Sequence, residues 1–86
     1  MLKNGYQEWL KQNPLRAFRD KNDLTRTRFA GHLGVSVNTV QFWENGTTTP
    51  NEENLEKISI VMQMSSEKLK AVWNIWLENK PEIKIG

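Results

Sequence analysis

The stretch RTRFAGHLGVSVNTVQFWEN, residues 26–45, admits two short helices set at a steep angle and little else. Where two helices cross closely, the first needs a small side chain, and Ala30 provides one. The link between them needs a residue free to take positive φ, and Gly34 provides that. Phe29, Leu33, Val35, Val40 and Trp43 are spaced to anchor both helices on a common core. Val37, Asn38, Gln41, Phe42 and Asn45 fall at i, i+1, i+4, i+5 and i+8, on the other side of the second helix. That side stays free for a partner.

The rest of the chain reads the same way, as short helices between breakers. Residues 5–12 place Tyr6, Trp9 and Leu10 on one face. Asn13-Pro14 is a restart: Asn caps well, and Pro is tolerated at the first helical position because its missing N–H has no intrahelical partner there. Pro14–Lys21 follows, with Leu15 and Phe18 expected inward and Arg16, Arg19 and Lys21 outward; Asn22-Asp23 ends it. Thr25 caps a helix to Leu33, and Ser36 caps Val37–Asn45, which Gly46 terminates. Thr47-Thr48-Thr49-Pro50 is a loop. Asn51 caps Glu52–Met62, with Leu55, Ile58 and Met62 inward and Glu52 and Glu53 placed favourably in the first turn. A last helix runs from about Ser66 to Glu78 with the stripe Leu69, Val72, Trp73, Trp76, Leu77. The tail from Pro81 to Gly86 alternates polar and apolar residues, a short strand pattern. The fold expected is all-α, a compact bundle of about five to six short helices in one domain.

Composition narrows the chemistry. The chain has no cysteine, which removes disulfides, thiolate metal sites and a cysteine nucleophile, and suits a reducing cytoplasm. His32 is the only histidine, so no His pair can build a zinc centre. No apolar run is long enough to span a bilayer, and no export signal follows Met1, so a cytoplasmic location is expected. The net charge of +2 is uneven: residues 1–46 carry seven Lys/Arg against four Asp/Glu, and residues 47–86 carry five against six. A basic first half suits a polyanion, although so small an excess also fits an ordinary surface.

Taken together, Leu24-Thr25-Arg26, Ala30, Leu33-Gly34-Val35-Ser36, Thr39-Val40, Trp43-Glu44-Asn45-Gly46 and Pro50 resemble the lambda-repressor-like helix-turn-helix family of the Cro or Xre type. The resemblance continues through Asn54-Leu55, Ile58 and Ser65 to Leu69. Three positions depart from the family's habit. Arg26 stands where a phosphate-bracing Gln is usual, Gln63 where Gly is favoured after the fourth helix, and Thr47-Thr48-Thr49 where the loop is often basic.

The resemblance implies a sequence-specific double-stranded DNA-binding regulator of transcription, of the phage or mobile-element repressor type, with recognition helix 36–45 in the major groove. Asn38 and Gln41 are the candidates for base readout, since an amide pairs bidentately with adenine. Val37 and Phe42 are further base-contact candidates through thymine methyls; for Phe42 the alternative is that the ring folds back beside Trp43. Arg26, Arg28, Ser36, Thr39, Thr47 and Thr48 are candidates for phosphate contacts, with Ser36 also the N-cap and Arg28 equally well a solvated charge. Trp43 reads as core, and Glu44 as a structural partner of an Arg or a backbone group. No nucleophile–base pair, metal cluster or phosphate-cradling Gly loop points to an enzyme, and no cofactor or small-molecule substrate is implied.

The organisation expected is an extra N-terminal helix over 1–13, the helix-turn-helix domain over 14–70, and a C-terminal helix extension and tail over 71–86. The stripe Val72, Trp73, Trp76, Leu77 suggests a homodimer surface with the outer tryptophan exposed, and the Ile83-Lys84-Ile85 tail a second means of pairing. Alternatively both tryptophans pack on Tyr6, Trp9 and Leu10 and leave a monomer. The same stripe motivates a rival reading, an antitoxin-like or adaptor protein whose last helix grips a partner protein.

Overall fold

Six helices follow one another through the computed structural model, which describes residues 2–81. They are α1 (Leu2–Lys11), α2 (Pro14–Lys21), α3 (Arg26–Leu33), α4 (Val37–Glu44), α5 (Glu52–Met62) and α6 (Ser66–Glu78). Among the described residues there is no strand. The expected strand pattern and pairing tail after Pro81 lie outside them. The first helix begins at Leu2 rather than Gly5, because a glycine within a helix costs only about 1 kcal/mol and does not by itself stop one.

Helix starts follow the caps. The Asn13 side chain accepts from the N–H groups of Leu15 and Arg16, with Pro14 in the first turn. Thr25, Ser36, Asn51 and Ser65 accept from the N–H three residues on, at Arg28, Thr39, Asn54 and Lys68. Each bond satisfies one of the donors a helix start leaves unpaired. Helix α5 ends on Gln63 in the left-handed region, φ 56°, ψ 46°. This is the position where the resembled family favours Gly, and Gln takes the glycine conformation rather than moving the helix end. A side chain held there is strained by about 1–2 kcal/mol, part of which glycine's greater backbone entropy takes back. Gln63→Gly is therefore expected to raise the unfolding free energy by about 0.5–1 kcal/mol in urea denaturation. A loss of stability would show that the Gln63 side chain makes a favourable contact.

The core joins Trp9 of α1, Leu15 of α2, Phe29, Ala30 and Leu33 of α3, Val40 and Trp43 of α4, Leu55 and Ile58 of α5, and Leu69, Trp73 and Trp76 of α6. Phe18 and Met62, both expected inward, are half-buried against it. Two expectations are corrected. Arg19, expected to point outward from α2, is buried, with 8% of its surface exposed. It lies four residues after Leu15, on the same helix face, and a buried carboxylate on α4 receives it.

Helix α6 differs from its sequence reading as well. Trp76, which the sequence favours as a residue of a surface shared between two copies, with packing on α1 as the alternative, is 4% exposed and takes the alternative place. Its indole stacks on that of Trp9, with centroids 4.1 Å apart and planes 2° from parallel. Trp9 Nε1 donates to the Trp76 carbonyl at 2.6 Å, and Trp76 Nε1 donates to the Trp9 carbonyl at 2.7 Å. Each ring thereby satisfies its own donor while burying its apolar body. Trp73 is also buried, so the two tryptophans of the proposed homodimer stripe belong to the domain's own core; Val72 and Leu77 are half-buried beside them.

Candidate nucleic-acid interface

Helices α3 and α4 meet across a tight turn. Gly34 adopts φ 72°, ψ 31°, and its N–H closes on the carbonyls of Ala30 and Gly31, while the Val35 N–H reaches Ala30. The left-handed step lets α4 leave α3 at once, with Ser36 already in place as its cap. Helix α4 turns Val40, Trp43 and Glu44 inward. Asn38, Gln41 and Phe42 are exposed, Phe42 to 46%, and Val37 to 37%. Phe42 therefore does not fold back over the core beside Trp43. At 100° per residue, Val37, Asn38, Gln41 and Phe42 share an arc of about 140°.

The remaining candidate residues surround this face. The Ser36 and Thr39 hydroxyls bond each other at 2.8 Å, and Ser36 Oγ also accepts from the Thr39 N–H at 3.1 Å. Thr47 and Thr48 are exposed beyond the C-terminal end of α4, and both their N–H groups point to the Phe42 carbonyl. Asn45 Oδ1 accepts a further bond from the Thr47 N–H at 2.9 Å, so the loop is pinned to the helix end. Arg28 is exposed on α3.

Arg26 is held from behind. Its Nε lies 3.2 Å from Glu44 Oε1, and the same carboxylate takes two bonds from Arg19, at 2.6 Å to Nε and 2.8 Å to Nη2. Arg19 Nη1 also donates to the Leu24 carbonyl. The bidentate bond to Glu44 is the main cause holding the Arg19 pKa above its ordinary value, against a desolvation penalty that works the other way. Glu44 is thus the structural partner that its place in the sequence suggested, and it joins α2, α3 and α4 at one point. Arg26 and Arg16 flank a shallow cleft of about 190 Å³, completed by Leu10, Gln41, Glu44 and Asn45. The cleft places two guanidinium-bearing side chains next to the outward face of α4, which has no cation of its own in its last turn.

The same C-terminal end of α4 is also seated on residues that the sequence did not connect to it. The Asn13 amide reaches the Trp43 carbonyl at 3.4 Å. Gly46, at φ 81°, lies over the Trp9–Trp76 stack: a Cβ there would come within 3.0 Å of Trp9 Cη2 and 3.4 Å of Trp76 Cη2. Glycine is required both for the turn and for the approach. The sequence offers the packing of Trp76 on Trp9 only as the alternative to a dimer surface, and it joins neither residue to Gly46.

The geometry presents one helix with its outward face free. Among the described residues, no cluster of three or more His, Asp or Glu side chains could hold a metal ion, and no helix is long and apolar enough to cross a membrane. A family model described as Helix-turn-helix matches residues 15–69. No curated protein and no solved structure matches the chain. The match runs from α2 to the first turn of α6 and includes the α3–turn–α4 unit and the Arg19–Glu44 bridge. The chain belongs to the Cro/C1-type helix-turn-helix family, the lambda-repressor-like DNA-binding domains.

Proposed function

We propose that this chain is a sequence-specific double-stranded DNA-binding regulator of transcription, of the phage or mobile-element repressor type, with α4 lying in the major groove. The observation that carries the reading is the outward face of α4 in a chain of this family: Val37, Asn38, Gln41 and Phe42 are presented together on a helix whose other side is fixed in the core. A helix fits the major groove, and exposed amides there meet base edges. Arg26, Arg28, Thr47 and Thr48, with the Ser36–Thr39 helix start, border that face and serve as phosphate contacts that set the register. Arg16 joins them, since it shares the cleft with Arg26.

Asn38→Ala is expected to weaken binding to the preferred duplex by about 1–3 kcal/mol and to relax preference at one base pair. Fluorescence anisotropy on preferred and scrambled duplexes at fixed salt measures this. Equal losses on both duplexes would make Asn38 a positioning residue and remove it from base readout. The rival reading, a protein-gripping last helix, draws no support from α6, because Trp73 and Trp76 are packed inside the domain.

A further inference from the structure

We propose that the DNA element read by this chain is built on A·T base pairs, with thymine methyl groups as direct determinants of recognition. The inference rests on the DNA-binding reading above and narrows it to a class of sequence. Helix α4 presents none of the groups that most often read a G·C pair. Its eight residues contain no Lys or Arg, the side chains that most often read guanine through O6 and N7. Its only carboxylate, the group that accepts from the cytosine amino group, is Glu44, which is buried and bonded to Arg19 and Arg26. The hydroxyls at its start, Ser36 and Thr39, are bonded to each other.

What α4 does present is two amides and two apolar groups. Asn38 and Gln41 have the donor and acceptor that match adenine N6 and N7. Val37 and Phe42 are exposed to 37% and 46%, and the apolar group that bases display in the major groove is the thymine methyl. The spacing pairs these two kinds of group. Val37 and Gln41 stand at i and i+4 in one row, and Asn38 and Phe42 stand at i and i+4 in the next. Each row combines one amide with one apolar side chain, which is the chemistry an A·T pair displays across the major groove: an adenine edge beside a thymine methyl.

The test selects bound sequences from a random duplex library with the whole 86-residue chain. It then replaces single thymines of the selected site by uracil, which removes the methyl and nothing else. The expected result is a selected site rich in A·T pairs, with binding weakened about three- to fivefold at each contacted methyl. Phe42→Ala or Val37→Ala is expected to abolish the uracil effect at its own position, with helical content by circular dichroism confirming that the variant is folded. A G·C-rich selected site, indifference to uracil at every position, or uracil sensitivity that survives in both variants would overturn the proposal while leaving the DNA-binding reading intact. Enrichment of no duplex at all would overturn both.

Discussion

Glu44→Ala is expected to lower the unfolding free energy by about 3–5 kcal/mol, because it leaves the Arg19 guanidinium buried without its carboxylate. A chain of 86 residues has a total stability of roughly 4–13 kcal/mol, so the loss takes at least about a quarter of it, and at the lower end of the range it leaves much of the variant unfolded. The damage is not confined to one pair. The same carboxylate holds Arg26, and through the two arginines it joins α2 and α3 to the end of α4. Urea denaturation followed by tryptophan fluorescence measures the loss. Removing both members of the buried pair, as Arg19→Met with Glu44→Leu, is expected to restore most of the stability, since a packed apolar pair avoids desolvating two charges. A loss below about 1 kcal/mol for Glu44→Ala alone would show that water reaches Arg19 and that the bridge is not a buried one. Protonation of Arg19 does not limit the pair under ordinary conditions. Its folded-state pKa is raised, so the contribution is complete below the unfolded value and fades only as pH rises through the still higher folded value.

Trp9→Ala is expected to cost a further about 3–5 kcal/mol in its own right, the range for truncating a buried aromatic side chain. The variant loses the stack on Trp76, empties the space beneath Gly46 and removes the indole donor to the Trp76 carbonyl, which keeps only the Asn79 N–H at 3.2 Å. Without that anchor α1 has little to hold it: a helix of ten residues is marginal alone in water. Hydrogen exchange is expected to show α1 amides opening before the rest of the domain, and duplex affinity to fall with the loosened end of α4. Trp9→Phe separates the contributions, keeping an aromatic face but losing the hydrogen bond, and is expected to be intermediate. The family match begins at residue 15, so α1 lies outside it. Trp9→Ala with unchanged stability would make α1 an appendage, whereas the expected loss makes it part of the unit that carries α4.

The ends of the helices were legible in the sequence because the interactions that set them are local. Asn13, Thr25, Ser36 and Asn51 cap through a side chain that reaches an N–H two or three residues away, and the sequence states both partners at once. Gly34 and Gly46 mark positive φ for the same reason, and α5 and α6 run over the residues their apolar stripes indicate. Gln63 is the exception among the caps: its residue type does not favour the left-handed region, and only the family resemblance, which places it where Gly is usual, marks the position. The outward face of α4 was legible too, since it is the complement of an inward face whose period is that of the helix.

The sequence by itself determined where the helices lie, which two form the turn unit, and which side of α4 is left free. Only the tertiary structure decided where Arg19 points, what Trp76 packs on, and what supports the C-terminal end of α4. Arg19 reads as a surface cation until Glu44, 25 residues on, receives it in a buried bidentate pair. Trp76 reads either as an exposed docking residue or as a partner of α1, and only the fold decides, with Trp9, 67 residues away, covering its face and accepting its N–H. Periodicity reports that a side chain is apolar and on which side of its helix it stands. It carries no information about which distant side chain fills the space opposite, because that depends on how several helices close together and bury their surfaces at once.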